Sequence, residues 1–177
     1  GSEMCIRDSI YTLELGSTSN LALFGYDIIG VAVDQQAKLF GYLFHLAALV
    51  AGIYSFHLRD PWQISMALLY AATAVGVAFA GDMLSLFLWW EGLAITSVFQ
   101  IWGRKTKQAE ESGFRYLFFH VSSGLLLLAG ILLRYHGEGA SAFSLEPLTQ
   151  ALEAGDFGAW LILLAIGIKA AFPGLHV

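Results

Sequence analysis

Residues 83–102 read "MLSLFLWWEGLAITSVFQIW", and this stretch decides the fold class that the sequence predicts. Twenty mostly apolar residues are about the length that an α-helix needs to cross a bilayer. The stretch carries one charge, Glu91, near its middle. A carboxylate at that depth costs roughly 2.5–3.5 kcal/mol or more, so it needs a partner or a function.

The composition of the whole chain points to the membrane. Of its 177 residues, 57% are hydrophobic and 13% are charged, whereas a soluble domain carries about a quarter charged residues. The net charge of −5 and the absence of a basic patch argue against nucleic acid as a partner. One cysteine, Cys5, excludes an internal disulfide framework and a CxxC metal or redox motif. The sequence therefore predicts an all-α integral membrane protein.

Five segments are predicted to be spanning helices, because each is close to the ~20 apolar residues that a span requires. They cover about residues 37–58, 63–81, 83–102, 114–134 and 158 to the end. Together they predict one transmembrane domain over residues 37–177.

The chain before the first predicted span has a different character. In residues 10–36, the apolar runs "YTLEL" and "LALFGYDIIGVAVD" are separated by the turn-rich "GSTSN". Each run is too short to span, so we expect two short strands or an extended hairpin outside the bilayer. Residues 1–9 form a polar leader without the apolar core of a signal peptide, and they are left out of the fold prediction.

The distribution of charges predicts the orientation. The loop at 103–113 with its flank carries four of the nine basic residues, and the loop at 135–157 is acidic. Since basic loops stay inside, loop 103–113 is expected in the cytoplasm and loop 135–157 outside. We expect a multi-pass protein of the inner (plasma) membrane of a bacterium.

Two charges are predicted at mid-span, Glu91 and Lys169. Glu91 lies roughly 13 Å along its helix from Asp82, and Lys169 roughly 16 Å along its helix from Gly158. Both helices run in the same direction, so the two charges should lie at similar depth and pair. One interpretation is a structural ion pair that locks two helices. The favoured one is a proton or ion relay, because ionisable groups inside membranes usually mark functional sites.

Pro173 follows Lys169 by four residues in "KAAFPGLHV". Proline removes a backbone hydrogen bond and clashes with the carbonyl four positions earlier, which is that of Lys169. The sequence predicts a helix broken at Lys169, a feature of ion sites in transporters. The alternative is a simple kink or the end of the helix.

Three further residues have weaker signals. Asp82 could equally be a helix cap or a carboxylate at which protons enter. For His120, helix packing through a hydrogen bond is favoured over proton transfer. Trp90 either packs in the bundle or shields Glu91 from lipid. The sequence has no phosphate loop, dinucleotide fingerprint or HExxH motif, and no cofactor or metal is expected.

Three stretches resemble the proton-translocating antiporter family. They are "AGDMLSLFLWWEGLAITSVFQI", "SGFRYLFFHVSSGLLLLAGILL" and "GIKAAFPGLHV". That family comprises antiporter-like subunits of NADH–quinone oxidoreductase (respiratory complex I), subunits A and D of Mrp-type Na+/H+ antiporters, and hydrogenase-linked relatives. The resemblance implies that the five helices are the third to seventh of about fourteen, and that the chain is a fragment ending inside a motif.

The resemblance also implies roles for individual residues. Glu91 matches the essential glutamate of the family's fifth helix, and Lys169 the lysine of its discontinuous seventh helix. Pro173 and His176 match residues that follow that lysine. The implied function is proton or cation translocation by a Glu–Lys pair in a multisubunit cation/proton antiporter. The implied partners are other subunits, the lipid bilayer, protons and, in the Mrp case, Na+.

Three other functions remain open. The nearest alternative is a proton-pumping subunit of complex I or of a hydrogenase-linked relative, in which the chain itself has no redox or hydrolytic centre. A retinal protein could use Lys169 as its Schiff base, but five helices and the nearby proline argue against it. A haem protein could use His45 and His120, but these are predicted at opposite depths.

Overall fold

The computed structural model describes residues 14–23, 26–55, 60–139, 144 and 148–170. In this part of the chain, a two-stranded hairpin is followed by six helices. The strands are β1 (Thr18–Leu23) and β2 (Tyr26–Ala32). The helices are α1 (Gln35–Tyr54), α2 (Pro61–Ala78), α3 (Met83–Trp102), α4 (Lys107–Glu138), α5 (Leu148–Glu153) and α6 (Phe157–Lys169).

The predicted all-α membrane fold class is confirmed. Within the described residues, four helices are long and apolar enough to cross a membrane: Gln35–Tyr54, Pro61–Ala78, Met83–Trp102 and Lys107–Gly137. The fifth predicted span is different, because α6 has 13 residues and is about 20 Å long. That is shorter than the ~30 Å hydrocarbon core of a bilayer. It ends at Lys169, the position at which Pro173 predicts a break, while Pro173 itself lies outside the described residues.

Side-chain caps explain where the helices begin. An oxygen of the residue before the helix accepts a hydrogen bond from a backbone N–H of the first turn, and this satisfies a group that has no partner in the helix itself. The capping residues are Asp34, Asp60, Asp82, Thr106 and Asp156. Asp60 is followed directly by proline at the first helical position, where the missing N–H is not needed.

The structure corrects both predicted loops. Thr106 caps α4, so 107–113 is helix and the turn between α3 and α4 is limited to 103–106. Hydropathy did not indicate these first turns because they are polar. On the other side, α4 continues to Glu138, and α5 occupies part of the predicted loop 135–157.

The long helices pack mainly against their neighbours in sequence. α1 packs on α2, α2 on α3 and α3 on α4, and α4 then packs along α6. The largest buried apolar cluster lies where α3, α4 and α6 meet, and it consists of Met83, Leu127, Ile131, Ile162 and Ala165. Most side chains of α1 and α2 are exposed, as expected for helices that meet lipid.

The N-terminal hairpin is present, but its strands differ from those predicted. Thr18–Asn20 of the predicted turn "GSTSN" belong to β1, and β2 pairs with β1 in antiparallel fashion. The reason is tertiary: β2 is fixed to the corner between α2 and α3. The N–H of Ala32 donates to Phe79 O at 2.9 Å, and the N–H of Gly81 donates to Ile29 O at 3.2 Å. A Cβ at Gly81 would lie 2.7 Å from Ile29 O, so this close approach requires glycine.

Candidate functional site

Glu91 and Lys169 meet between α3 and α6. Glu91 lies near the middle of α3, and Lys169 is the last residue of α6. Lys169 Nζ is 2.9 Å from Glu91 Oε1. The Lys169 side chain is 2% exposed and the Glu91 side chain 22% exposed. The structure therefore brings together the two charges that the sequence places at mid-span, as a hydrogen-bonded ion pair.

Trp90 supplies two further contacts to the lysine. Lys169 Nζ donates a hydrogen bond to the backbone oxygen of Trp90 at 3.2 Å. It also lies 4.8 Å from the centroid of the Trp90 ring, within the range of a cation–π interaction. The ammonium thus has a carboxylate, a carbonyl and an aromatic face around it, which together replace part of the hydration that burial removes.

Helix α4 touches both halves of the pair, a feature that the sequence interpretation missed. A Cβ at Gly124 would lie 2.9 Å from Glu91 Oε2, so the carboxylate rests directly on the α4 backbone. The neighbouring Ser123 donates a hydrogen bond through Oγ to Ala165 O at 2.8 Å, one turn before Lys169. The only sequence signal is the run of small residues in "HVSSG", which is common where membrane helices pack closely.

Asp82 lies away from the pair, at the start of α3. Its Oδ1 accepts the N–H of Ser85 at 2.7 Å, and its Oδ2 accepts the N–H of Ile29 at 2.6 Å. Ser85 Oγ in turn accepts the N–H of Asp82 at 3.1 Å, which completes a capping box. The carboxylate is buried and holds β2 to α3. Of the two interpretations for Asp82, the geometry supplies the helix cap.

His120 lies on α4, one turn before Gly124. Its ring stacks on Tyr116 with centroids 3.9 Å apart, and Tyr116 Oη is 2.6 Å from Ser97 Oγ on α3. The buried Nδ1 of His120 has no hydrogen-bond partner among the residues that the structure describes. The expected hydrogen bond through this nitrogen is therefore not seen, because the ring packs by its face against Tyr116.

A second ion pair lies at the opposite end of α6, and the sequence analysis did not predict it. Arg134 Nε donates to Asp156 Oδ2 at 3.0 Å, and the Arg134 side chain is 2% exposed. Asp156 Oδ1 accepts the N–H of Gly158 at 2.8 Å and so caps α6. Charges at the ends of predicted spans are usually interpreted as exposed to water, which is why this buried pair was missed.

Two candidate residues, Pro173 and His176, lie outside the described residues, and so does His57. His45 is on α1, exposed, and its Nδ1 is 2.7 Å from Gly41 O. The described structure therefore places Glu91, Lys169 and Trp90 in direct contact, with His120 one turn of α4 away from Gly124 and Asp82 at the end of α3.

Comparison with known proteins identifies the family. A family model described as "NADH:quinone oxidoreductase/Mrp antiporter, TM" matches residues 80–177, more than half of the chain. The matched region contains both members of the Glu91–Lys169 pair.

Individual relatives are similar at low identity. The chain is 27% identical over 135 residues to "NADH-quinone oxidoreductase subunit N" of Hirschia baltica, an alignment covering 75% of this chain and 28% of that protein. It is 33% identical over 118 residues to "NAD(P)H-quinone oxidoreductase chain 4 2" of Microcystis aeruginosa, covering 63% of this chain and 21% of that protein. A chain 4 protein of Synechococcus sp. is also 33% identical, over 116 residues.

The chain spans well under a third of the length of these relatives. The family match, the four helices able to cross a membrane and the resemblance of the helix around Glu91 agree with one another. This chain belongs to the transmembrane family of NADH:quinone oxidoreductase and Mrp antiporter subunits.

Proposed function

We propose that this chain translocates protons across the membrane as a subunit of a multisubunit complex, and that the Glu91–Lys169 pair binds the transferred proton. The observation that carries this proposal is a nearly fully buried lysine, paired with a carboxylate, at the end of an apolar helix. Ionisable groups at such positions are expensive and usually serve ion or proton transfer. The names of the relatives, which are subunits of quinone oxidoreductases, support the membership of a larger complex.

The geometry suggests how the pair would work. In the closed pair, the ammonium of Lys169 and the carboxylate of Glu91 stabilise each other's charge. A proton arriving at Glu91 neutralises the carboxylate and removes that attraction. The ammonium is then held by the Trp90 carbonyl and ring alone, and it can pass its proton to a further group. Reformation of the pair resets the site.

Single substitutions test this role. In membrane vesicles from cells expressing the complete gene, Glu91→Gln and Lys169→Ala should each lower proton transport by about a hundredfold, the scale for loss of a positioned proton-transfer group. The matched control is Glu110→Gln, the same chemical change at an exposed position in the first turn of α4. Normal transport in both site variants, at normal protein levels, would contradict the proposal.

Two molecular settings follow from the family. The names of the relatives favour a quinone oxidoreductase, in which electron transfer elsewhere in the complex would drive pumping. The "KAAFPGLHV" stretch keeps the Mrp setting in view, in which sodium would be the coupled ion. Proton transport measured over graded Na+ concentrations separates them: dependence on Na+ supports the Mrp setting, and dependence on quinone reduction supports the oxidoreductase.

A further inference from the structure

We infer that Ser123 and Gly124, consecutive residues of α4, are positioning residues that set the separation of Glu91 and Lys169. Ser123 fixes the last turn of the helix that carries the lysine, and Gly124 provides the space in which the carboxylate lies. The inference rests on the proposed function of the pair, and it assigns a task to a helix that contributes no charge to the site.

The contact of Ser123 is made to the turn that ends in Lys169. Ser123 is 1% exposed, and its hydroxyl donates to Ala165 O at 2.8 Å. In an α-helix, the carbonyl of Ala165 is also the acceptor for the backbone N–H of Lys169, four residues later. The hydroxyl thus holds the same carbonyl that holds the lysine backbone. Rotation or sliding of this turn relative to α4 would break the bond.

The contact of Gly124 is made to the carboxylate itself. A Cβ built there would lie 2.6 Å from Glu91 Cδ and 2.9 Å from Oε2. The atoms in the way are the end of a flexible side chain, so an alanine at this position displaces the carboxylate and leaves the helices in place. Gly130 on the same helix differs, because a Cβ there would lie 2.7 Å from the backbone oxygen of Gly158.

The two contacts act together because the residues are adjacent. Successive residues of an α-helix point about 100° apart, so one turn of α4 faces α6 with Ser123 and α3 with Gly124. The amine and the carboxylate are therefore both referenced to one rigid backbone segment. A purely structural contact would hold α4 to α6 without affecting how Glu91 and Lys169 depend on each other.

A double-mutant cycle distinguishes positioning from packing. In vesicles from cells expressing the complete gene, Gly124→Ala and Ser123→Ala should each lower proton transport by roughly tenfold, the scale for a lost contact to a charged or buried group. Each should add no further loss when combined with Lys169→Ala, because the pair is already absent. Ser123→Thr keeps the hydroxyl and should restore transport. Gly137→Ala is the control, since its Cβ would meet nothing within 4 Å.

The outcomes separate this inference from the proposed function. Losses that add fully to that of Lys169→Ala, or normal transport in Gly124→Ala and Ser123→Ala while Glu91→Gln is inactive, would overturn the positioning role alone. Normal transport in Glu91→Gln and Lys169→Ala would overturn the proposed function itself. If one of the alanine variants does not accumulate in the membrane, the cycle on the other decides the question.

Discussion

At the scale of single residues, the site shows how a buried ammonium is made tolerable. Lys169 donates to Glu91 and to the Trp90 carbonyl, and it lies over the Trp90 ring. Removing one partner of a buried pair typically costs about 3–5 kcal/mol, because the other charge is left uncompensated. The contacts around the lysine therefore limit which side chains these positions accept.

The ring of Trp90 can be tested separately from its carbonyl, which every substitution keeps. Trp90→Phe preserves an aromatic face and Trp90→Leu removes it. Since a desolvated cation–π contact contributes about 0.5–2 kcal/mol, transport should fall more in the leucine variant than in the phenylalanine variant. Initial rates of vesicle acidification measure this. Equal, unchanged rates in both would show that the ring contact has no role in the site.

Asp82 gives a second test at this scale, because asparagine and aspartate are equally good helix caps. Asp82→Asn should keep both stability and transport. Asp82→Ala should lose about 1–3 kcal/mol, since it leaves the N–H groups of Ser85 and Ile29 unsatisfied. The measurements are the thermal inactivation midpoint of the solubilised complex and the transport rate. A loss of transport in Asp82→Asn at unchanged stability would instead identify Asp82 as a carboxylate that handles protons.

At the scale of elements, the position of Lys169 depends on how α6 packs against α4. The backbones approach closely at Gly130 and Gly158, where a Cβ on Gly158 would lie 2.9 Å from Gly130 O. Near this crossing, the buried Arg134–Asp156 pair holds the first turn of α6. Both ends of this short helix are thereby attached to α4, by an ion pair at its start and by Ser123 near its end.

The helix crossing predicts a contrast between two glycines of α4. Gly130→Ala should destabilise the protein by about 1–3 kcal/mol, the range for overpacking, because its Cβ meets the Gly158 backbone. Gly137→Ala should be neutral or slightly stabilising, because alanine favours helix by up to about 1 kcal/mol and the surroundings are open. Thermal unfolding in detergent checks both. Equal stability of the two variants would contradict the close crossing.

The sequence predicted the elements well where hydropathy changes sharply. The bounds of α3 at residues 83–102 agree with the structure, because Asp82 and Gly103 flank an unbroken apolar run. The first turns of α4 and the strand β1 were missed for different reasons. The former are polar helix beyond the apolar segment, and the latter depends on hydrogen bonds of β2 to residues of the α2–α3 corner.

The candidate site was predictable only as far as its charges. Glu91 and Lys169 stand out because each is a single charge in an apolar run. Ser123, Gly124 and the Arg134–Asp156 pair do not, because their roles arise from contacts between α4 and α6, and small residues or charges at helix ends are common in any membrane helix. The proton-relay role of the pair stays a prediction.

At the scale of the whole molecule, the two ends of the helix bundle differ. One end carries the hairpin and the Arg134–Asp156 pair. The other carries the turn at 103–106 and a cluster of aromatic rings, Trp62, Phe99, Trp102 and Phe114. Aromatic side chains are typical of the membrane–water interface. With 32 residues, α4 is about 48 Å long, so it extends beyond the hydrocarbon core.

The predicted orientation can be tested by labelling. With Cys5 replaced by serine, Gln108→Cys and Ala154→Cys place single thiols at exposed positions on opposite sides of the bundle. A membrane-impermeant thiol reagent added to intact cells should label Ala154→Cys and not Gln108→Cys, and inverted vesicles should show the reverse. Labelling of Gln108→Cys in intact cells would mean that the basic turn faces outward, against the positive-inside rule.

The proton-binding role of the Glu91–Lys169 pair is tested most directly by infrared difference spectroscopy of the complex during turnover. Protonation of a carboxylate produces a carboxylic acid C=O band. We expect such a band in the wild type, its loss in Glu91→Gln, and its retention in Asp82→Asn. A difference spectrum that is the same in the wild type and in Glu91→Gln would contradict proton transfer through this pair.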